Sequence, residues 1–266
     1  MKLRTIALNT LGGFMRDRLL IVFAILFICV VLLMMTPLLA TKAMYASNLQ
    51  QGQSIVLQMV SVIMFFVSGC GSLLAAWAAA DAVASELKSG TVLAVMARPV
   101  KRWEFLLGKY FGVLLLMIVY VVMMFALSYL LAWIGGQRIH SALWVLLVYP
   151  LVRYSIYAAL AMALVTILHP VITWAIALLI GVLSSLVTSW GEVTNPLLRA
   201  IKALLFVILP STGLLSEERF LTIRDASLQP MRWFDHLTAL SYGVDYALVL
   251  LLLAMWSFHY RSLKRD

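Results

Sequence analysis

The sequence predicts an all-α integral membrane protein, with six transmembrane helices and both termini in the cytoplasm. Three observations carry that prediction: the composition, the lengths of the charge-free runs, and the asymmetry of Lys and Arg between alternate loops. Of 266 residues, 64% are apolar and 12% charged, and the mean hydropathy is +1.02. An ordinary globular chain carries charge at about a quarter of its positions. This one has too little polar surface to build a water-facing shell, which excludes soluble enzyme folds.

A helix needs about 20 apolar residues to cross the hydrocarbon. The first such run covers about 19–40. The preceding segment carries Lys2, Arg4, Arg16 and Arg18 against Asp17. No small-residue cleavage site follows the run, so it reads as an uncleaved span, and Gly12-Gly13 is expected to interrupt any helix before it. A polar stretch from Thr41 to Ser54 leads to the second span, about 55–80. The first substantial polar insert is 81–104, and the third span follows at about 105–134, ending at Gly135-Gly136. Between Tyr154 and Gly191 there is no Lys, Arg, Asp or Glu, too long a stretch for one crossing at 1.5 Å per residue. Proline removes a backbone donor and disfavours helix at the residue before it, so the turn belongs at His169-Pro170. Spans four and five are therefore about 142–168 and 171–190.

The segment 191–236 holds Pro196, Pro210 and Pro230 and many charges, and its apolar piece, Ala203 to Leu209, is too short to span. It reads as a re-entrant or interfacial element on the outer side. The sixth span covers about 237–260 and is closed by Arg261, Lys264 and Arg265. With both termini inside, the cytoplasmic side also collects Lys88, Arg98, Lys101, Arg102 and Lys109, whereas the short outer loops hold only Lys42 and Arg138. In 191–236, Arg199, Lys202, Arg219, Arg224 and Arg232 are balanced by Glu192, Glu217, Glu218, Asp225 and Asp235. The net charge of +9 is thus a topology signal, and no nucleic-acid partner is implied.

Several chemistries are missing from the sequence. The lone Gly-Lys, Gly108-Lys109, has Trp103 where a phosphate-binding loop needs its first glycine and Tyr110 where it needs a hydroxyl next to the lysine. His140, His169, His236 and His259 are too scattered for a zinc motif, and Cys29 and Cys70 sit in apolar runs without ligand spacing. The methionines, including Met34-Met35 and Met123-Met124, point in different directions on their helices and read as packing. No cofactor or metal is expected in this chain. Two charges fall inside spans, Arg153 in the fourth and Asp245 in the sixth, and intramembrane charges are functional suspects. Their similar depth leads to the expectation that they pair. A secondary transporter would need ionisable residues in several spans and an internal repeat, and a membrane enzyme would need clustered acids or histidines. Neither pattern is present.

The most informative stretch is 81–104. Ser89 is placed to cap a short helix from Gly90 to Ala97, with Val92, Leu93 and Met96 as its apolar face and Pro99 as its stop. A brief amphipathic helix between two spans suits an apolar knob entering a groove on a cytosolic partner. Its residues, Glu86, Gly90-Thr91, an apolar run, Arg98-Pro99, Arg102-Trp103-Glu104-Phe105 and Gly108-Lys109, resemble the coupling segment of ABC-2 type permeases. Leu204-Leu205-Phe206, Leu209-Pro210, Tyr242-Gly243, Tyr246-Ala247, Leu250 to Ala254, Phe258 and Arg261 are similar to the subgroup that includes the permease of nitrous oxide reductase maturation clusters.

The resemblance implies the ABC-2 permease fold of type V exporters in the prokaryotic plasma membrane. It implies a non-enzymatic subunit among membrane lipids, paired with a second copy of itself or a like permease. ATP and Mg would belong to separate ATP-hydrolysing subunits docked on 81–104, where Glu86, Gly90, Thr91, Leu93, Met96, Pro99 and Arg102 would couple to them. The cytoplasmic stretches are too short for a domain of about 50–200 residues, so an ATP engine has to come from a partner. Small residues fit close helix packing between or within subunits: Ser68-Gly69-Cys70-Gly71-Ser72 with Ala75, Ala76 and Ala79, and Gly108 with Gly112.

Overall fold

Hydrocarbon offers backbone N–H and C=O groups no partner, so a chain of this composition satisfies them within helices. The computed structural model describes residues 2–17, 49–89, 101–134, 143–189, 196–215 and 233–260, with single positions between 21 and 40. Among the described residues all regular structure is helical. In chain order come α1 (Lys2–Phe14), α2 (Leu49–Ser89), α3 (Arg102–Ile134), α4 (Leu143–Val165), α5 (Pro170–Ser189), α6 (Pro196–Ile208), a short 3-10 turn (Thr212–Leu215) and α7 (Trp233–Tyr260). Four of them contain a stretch long and apolar enough to cross a membrane: Phe65–Glu86, Arg102–Leu127, Leu147–Val165 and His236–Tyr260. α5 coincides with the expected fifth element and supplies a shorter apolar stretch, Pro170–Ser184. Within the expected first span, Ile21, Val22, Ile25, Ile28, Leu32 and Leu33 are helical and exposed, and its other positions lie mostly outside the described residues.

The core is built around α4, which touches α2, α3, α5 and α7. Every residue from Arg153 to Met162 is buried. A helix that is apolar all round belongs at such a centre. In an apolar medium, helix association rests on close packing, which small residues permit. Ala75, Ala76, Ala78 and Ala79 on α2 and Ala158, Ala159 and Ala161 on α4 are all fully buried. The sequence left open whether the small residues of α2 pack within or between subunits; Gly71, Ala75, Ala76 and Ala79 pack within the chain, and Gly69 is exposed. At Gly71, for instance, an added Cβ would collide with the rings of Tyr154 and Tyr120.

Several boundaries differ from expectation. α2 extends beyond 55–80 at both ends and runs as one helix of 41 residues, about 60 Å at 1.5 Å per residue. The first part of the expected coupling segment therefore continues α2, and Ser89 is its last residue rather than an N-cap. The cause is local: 81–88 has no helix breaker, and Ala82, Val83 and Ala84 extend the buried alanine face. At the N-terminus, helix runs through Gly12-Gly13 to Phe14. Packing of Phe14 on Trp77, with ring centroids 6.2 Å apart, holds this last turn despite glycine's poor propensity. Within 191–236, α6 begins at Pro196, well before Ala203; proline suits the first helical position. The helix is largely exposed, and the chain after it turns inward, burying Ser211, Thr212 and Leu215 against α4, α5 and α7. The turn after α4 falls at His169-Pro170 as expected, with Pro170 opening α5.

α1 packs along the start of α3. A Cβ on Gly108 would lie 2.7 Å from Ile6, and one on Gly112 2.6 Å from Thr10. Around Gly12 the space is open. Gly112→Leu should therefore lower stability by about 1–3 kcal/mol through overpacking, whereas Gly12→Ala should raise it by about 0.4–1 kcal/mol. Thermal unfolding of the detergent-solubilised protein followed by tryptophan fluorescence checks both signs.

Candidate functional site

The end of α2, the start of α3, the end of α7 and α1 meet at one end of the bundle. Lys101 precedes α3, and its N–H donates to Glu104 Oε2 at 2.9 Å, the half of a capping box in which the third helical residue reaches back. Arg102 donates through Nη1 to the carbonyl of His259 at 2.8 Å and of Phe258 at 3.3 Å. It thus ties the first residue of α3 to carbonyls in the last turn of α7. One turn further along α3, Phe105 stacks on Phe258 with ring centroids 6.1 Å apart.

Lys109 follows on the same face. Its ammonium lies 5.7 Å from the centre of the Phe105 ring and forms an ion pair with Glu86 Oε1. The lysine side chain is 10% exposed and that of Glu86 24%. Within the chain Glu86 thus meets Lys109, and Arg102 reaches α7. The first acid and the final lysine of the motif thus pair across the 87–108 stretch. Beside them a cavity of about 290 Å³ is lined by Asn9, Thr10, Asp17, Asp81 and Ser85 among others. Gly90, Thr91, Leu93, Met96 and Pro99 lie outside the described residues. Lys109 escaped the sequence reading of the site, although the Gly-Lys that ends the motif was the signal for it.

The two intramembrane charges do not pair. Arg153 is 8% exposed. Its Nη2 donates to Ser68 Oγ on α2, and its guanidinium lies 5.3 Å from the centre of the Tyr154 ring. Asp245 is on the exposed face of α7, because that helix turns Gly243, Ala247, Leu250, Leu251 and Ala254 into the bundle. Arg153 instead belongs to a polar layer that the sequence did not reveal. Tyr120 Oη donates to the carbonyl of Val67 at 2.5 Å, Trp174 Nε1 to that of Leu73 at 3.3 Å, and the N–H of Ser211 to Tyr242 Oη at 2.9 Å. Ser184 Oγ reaches the carbonyl of Pro210, and Tyr149 Oη is 2.7 Å from His236 Nδ1. These contacts join residues far apart in sequence, and no spacing rule signals them.

Taken together, the apolar crossing helices and the charged joint at one end, with its Glu86–Lys109 ion pair, define a multi-pass helical membrane protein. The chain belongs to the ABC-2 family transporter proteins, whose family model matches residues 4–263. No curated relative matches it. Membership makes the chain a membrane transport component, not itself catalytic, and implies an ABC transporter with a nucleotide-binding partner.

If Glu86 and Lys109 act on one another, their substitutions will not be additive. Glu86→Gln and Lys109→Met should each destabilise the protein, and the double variant should recover part of the loss. The expected coupling is about 1–3 kcal/mol, read from a double-mutant cycle of unfolding in detergent. Additive losses would show that the two side chains stabilise the protein independently.

Proposed function

We propose that this chain is the membrane subunit of an ATP-driven exporter. It crosses a prokaryotic plasma membrane six times with both termini inside, and residues 81–104 receive the motion of a separate ATP-hydrolysing subunit. The observation that carries the reading is the Glu86–Lys109 pair, which closes the family-like motif at the end of the bundle where α1, α2, α3 and α7 meet. A displacement of the segment between the paired residues is thereby passed to both helices that flank it. Arg102 extends the joint to α7 through the carbonyls of Phe258 and His259. In this reading Leu93 and Met96 fill a groove on the ATPase, Gly90-Thr91 allows close backbone approach, and Pro99 ends the docking helix. ATP and Mg stay with that partner. Two permeases, either copies of this chain or like subunits, complete the pathway. The patterns at 204–210 and 242–261 support a place near the permeases of nitrous oxide reductase maturation clusters.

Two measurements test the proposal. In a variant lacking the free thiols Cys29 and Cys70, cysteines placed at Ser89 and Ser227 should label from the cytoplasm and from outside, respectively. Labelling of both from one side would contradict the topology. Leu93→Asp places a charge in an apolar contact and should abolish co-purification of the ATPase subunit or uncouple its hydrolysis from transport, while membrane insertion stays normal. Wild-type assembly and stimulated hydrolysis in both Leu93→Asp and Glu86→Ala would remove the coupling role from this segment.

A further inference from the structure

We infer that the cavity around Arg153 is a binding site for the anionic head group of an amphiphile. This deepens the reading of the chain as a permease by naming the class of molecule that the bundle accommodates. The cavity has a volume of about 430 Å³ and lies between α2, α4, α5 and the 3-10 turn. That size falls within the range of about 300–1,000 Å³ usual for small-molecule sites. Its polar wall consists of the Arg153 guanidinium with the hydroxyls of Ser68, Ser72, Tyr157 and Thr212, and none of the described residues lining it is an acid. Its apolar wall includes Leu73 and Leu178.

The rim explains how such a molecule would enter. Phe65 on α2 and Val182 on α5 line the cavity and are 59% and 58% exposed, and Gly69 beside them is exposed as well. All three fall in the apolar stretches of their helices, so the mouth opens sideways, into hydrocarbon or onto a paired subunit, rather than at a membrane surface. A head group would reach Arg153 while its chain stays among apolar residues at the rim.

Arg153 suits an acidic head group for three reasons. The planar fork of a guanidinium matches two oxygens of a carboxylate, phosphate or sulfate ester. An apolar surround strengthens that attraction. A full opposite charge held at this depth also adds to the contacts that Arg153 makes with Ser68 and Tyr154. Ser68 accepts from Arg153 and fixes the guanidinium in the cavity wall. Gly181 leaves room for Tyr157 to cross, since a Cβ there would sit 2.5 Å from the phenol oxygen.

Binding of radiolabelled dodecyl phosphate to the full chain in phosphatidylcholine nanodiscs tests the site, with empty discs as background. Saturable binding is expected, at least about tenfold tighter than that of dodecyltrimethylammonium, which has a chain of the same length and the opposite charge. Arg153→Gln should weaken it by about tenfold and Arg153→Lys by less, because a lysine keeps the charge and loses the fork. Gly69→Phe leaves Arg153 in place and meets open space at its Cβ. It should obstruct the mouth and weaken binding as well, which keeps the test decisive if the Arg153 variants fail to fold.

Equal affinity for the two head groups, or wild-type affinity in Gly69→Phe, would overturn the proposal. Repeating the titration with phosphatidylglycerol in the discs separates two sources of the same chemistry. Competition identifies a bilayer lipid as occupant, its absence a dispersed amphiphile, and either outcome upholds an anion site. Failure of the ATPase subunit to co-purify would count against the permease reading and leave this binding result standing; loss of binding with assembly intact would count against the site alone.

Discussion

The rest of the structure depends on one constraint: a helix bundle in an apolar surround has to satisfy its polar groups from within. Lipid offers them nothing, and each one left unmet costs free energy comparable to several ordinary contacts. Several hydroxyls and a ring N–H of the core accordingly find backbone carbonyls, whereas the buried hydroxyls of Thr173 and Ser211 do not. Tyr120 and Trp174 both reach carbonyls of α2, and Tyr110 Oη reaches that of Ser155 at 3.4 Å. Each of these bonds crosses from one helix to another and fixes a register that apolar packing alone would leave adjustable. α4 can be buried all round because its polar residues have such partners, and its alanines let α2 lie close.

At the motif end the same constraint acts on full charges. A lysine this deeply buried is tolerable only beside an anion, and Glu86 supplies it from the last turns of α2. The pair joins two helices that the chain connects only through the 90–101 stretch. Arg102 and the Phe105–Phe258 stack bring the end of α7 into the same assembly, and α1 packs along α3 over Gly108 and Gly112. The glycines make this possible, since any side chain at either position would collide with Ile6 or Thr10. A short motif in sequence thus becomes a joint among four helices.

How much of this the sequence discloses follows from which interactions are local. The apolar runs place the helices well, because hydrocarbon thickness and the absence of charge act on contiguous residues. The turn at His169-Pro170 is equally legible, since proline acts on its own neighbours. Helix ends are less so. Ser89 looks like a cap until the buried faces of Ala82, Val83 and Ala84 are seen to carry α2 past it, and Gly12-Gly13 looks like a break until Phe14 is seen against Trp77. Rotation about a helix axis is not legible at all without tertiary contacts. Arg153 and Asp245 occur at matching depths, yet α7 turns its small and apolar face to the bundle and leaves Asp245 outside, so Arg153 takes Ser68 instead. The polar layer formed by Ser184, Pro210, Thr212 and Tyr242 depends on the chain after α6 turning inward, which charge-rich composition obscures.

The Arg153 cavity and the Glu86–Lys109 joint share a helix. Ser68 faces Arg153 and Glu86 faces Lys109, and both belong to α2, separated by about 27 Å of helix rise. No proline interrupts α2 between them, and its alanine face against α4 offers little side-chain bulk to hold it at one height. Sharp bends in helices come from proline, inserted side chains or irregular turns, so a force applied at the Glu86 end is carried along α2 as a nearly rigid displacement. What resists it near Ser68 is a set of hydrogen bonds to the helix, from Tyr120, Tyr154 and Arg153. Tyr120 and Tyr154 also press on Gly71, where no side chain keeps them apart from the backbone. A shift of α2 relative to α4 therefore alters the wall of the Arg153 cavity before it disturbs the alanine interface. That order follows from geometry: hydrogen bonds are directional and lose strength over a few tenths of an ångström, whereas alanine packing tolerates sliding along the helix axis.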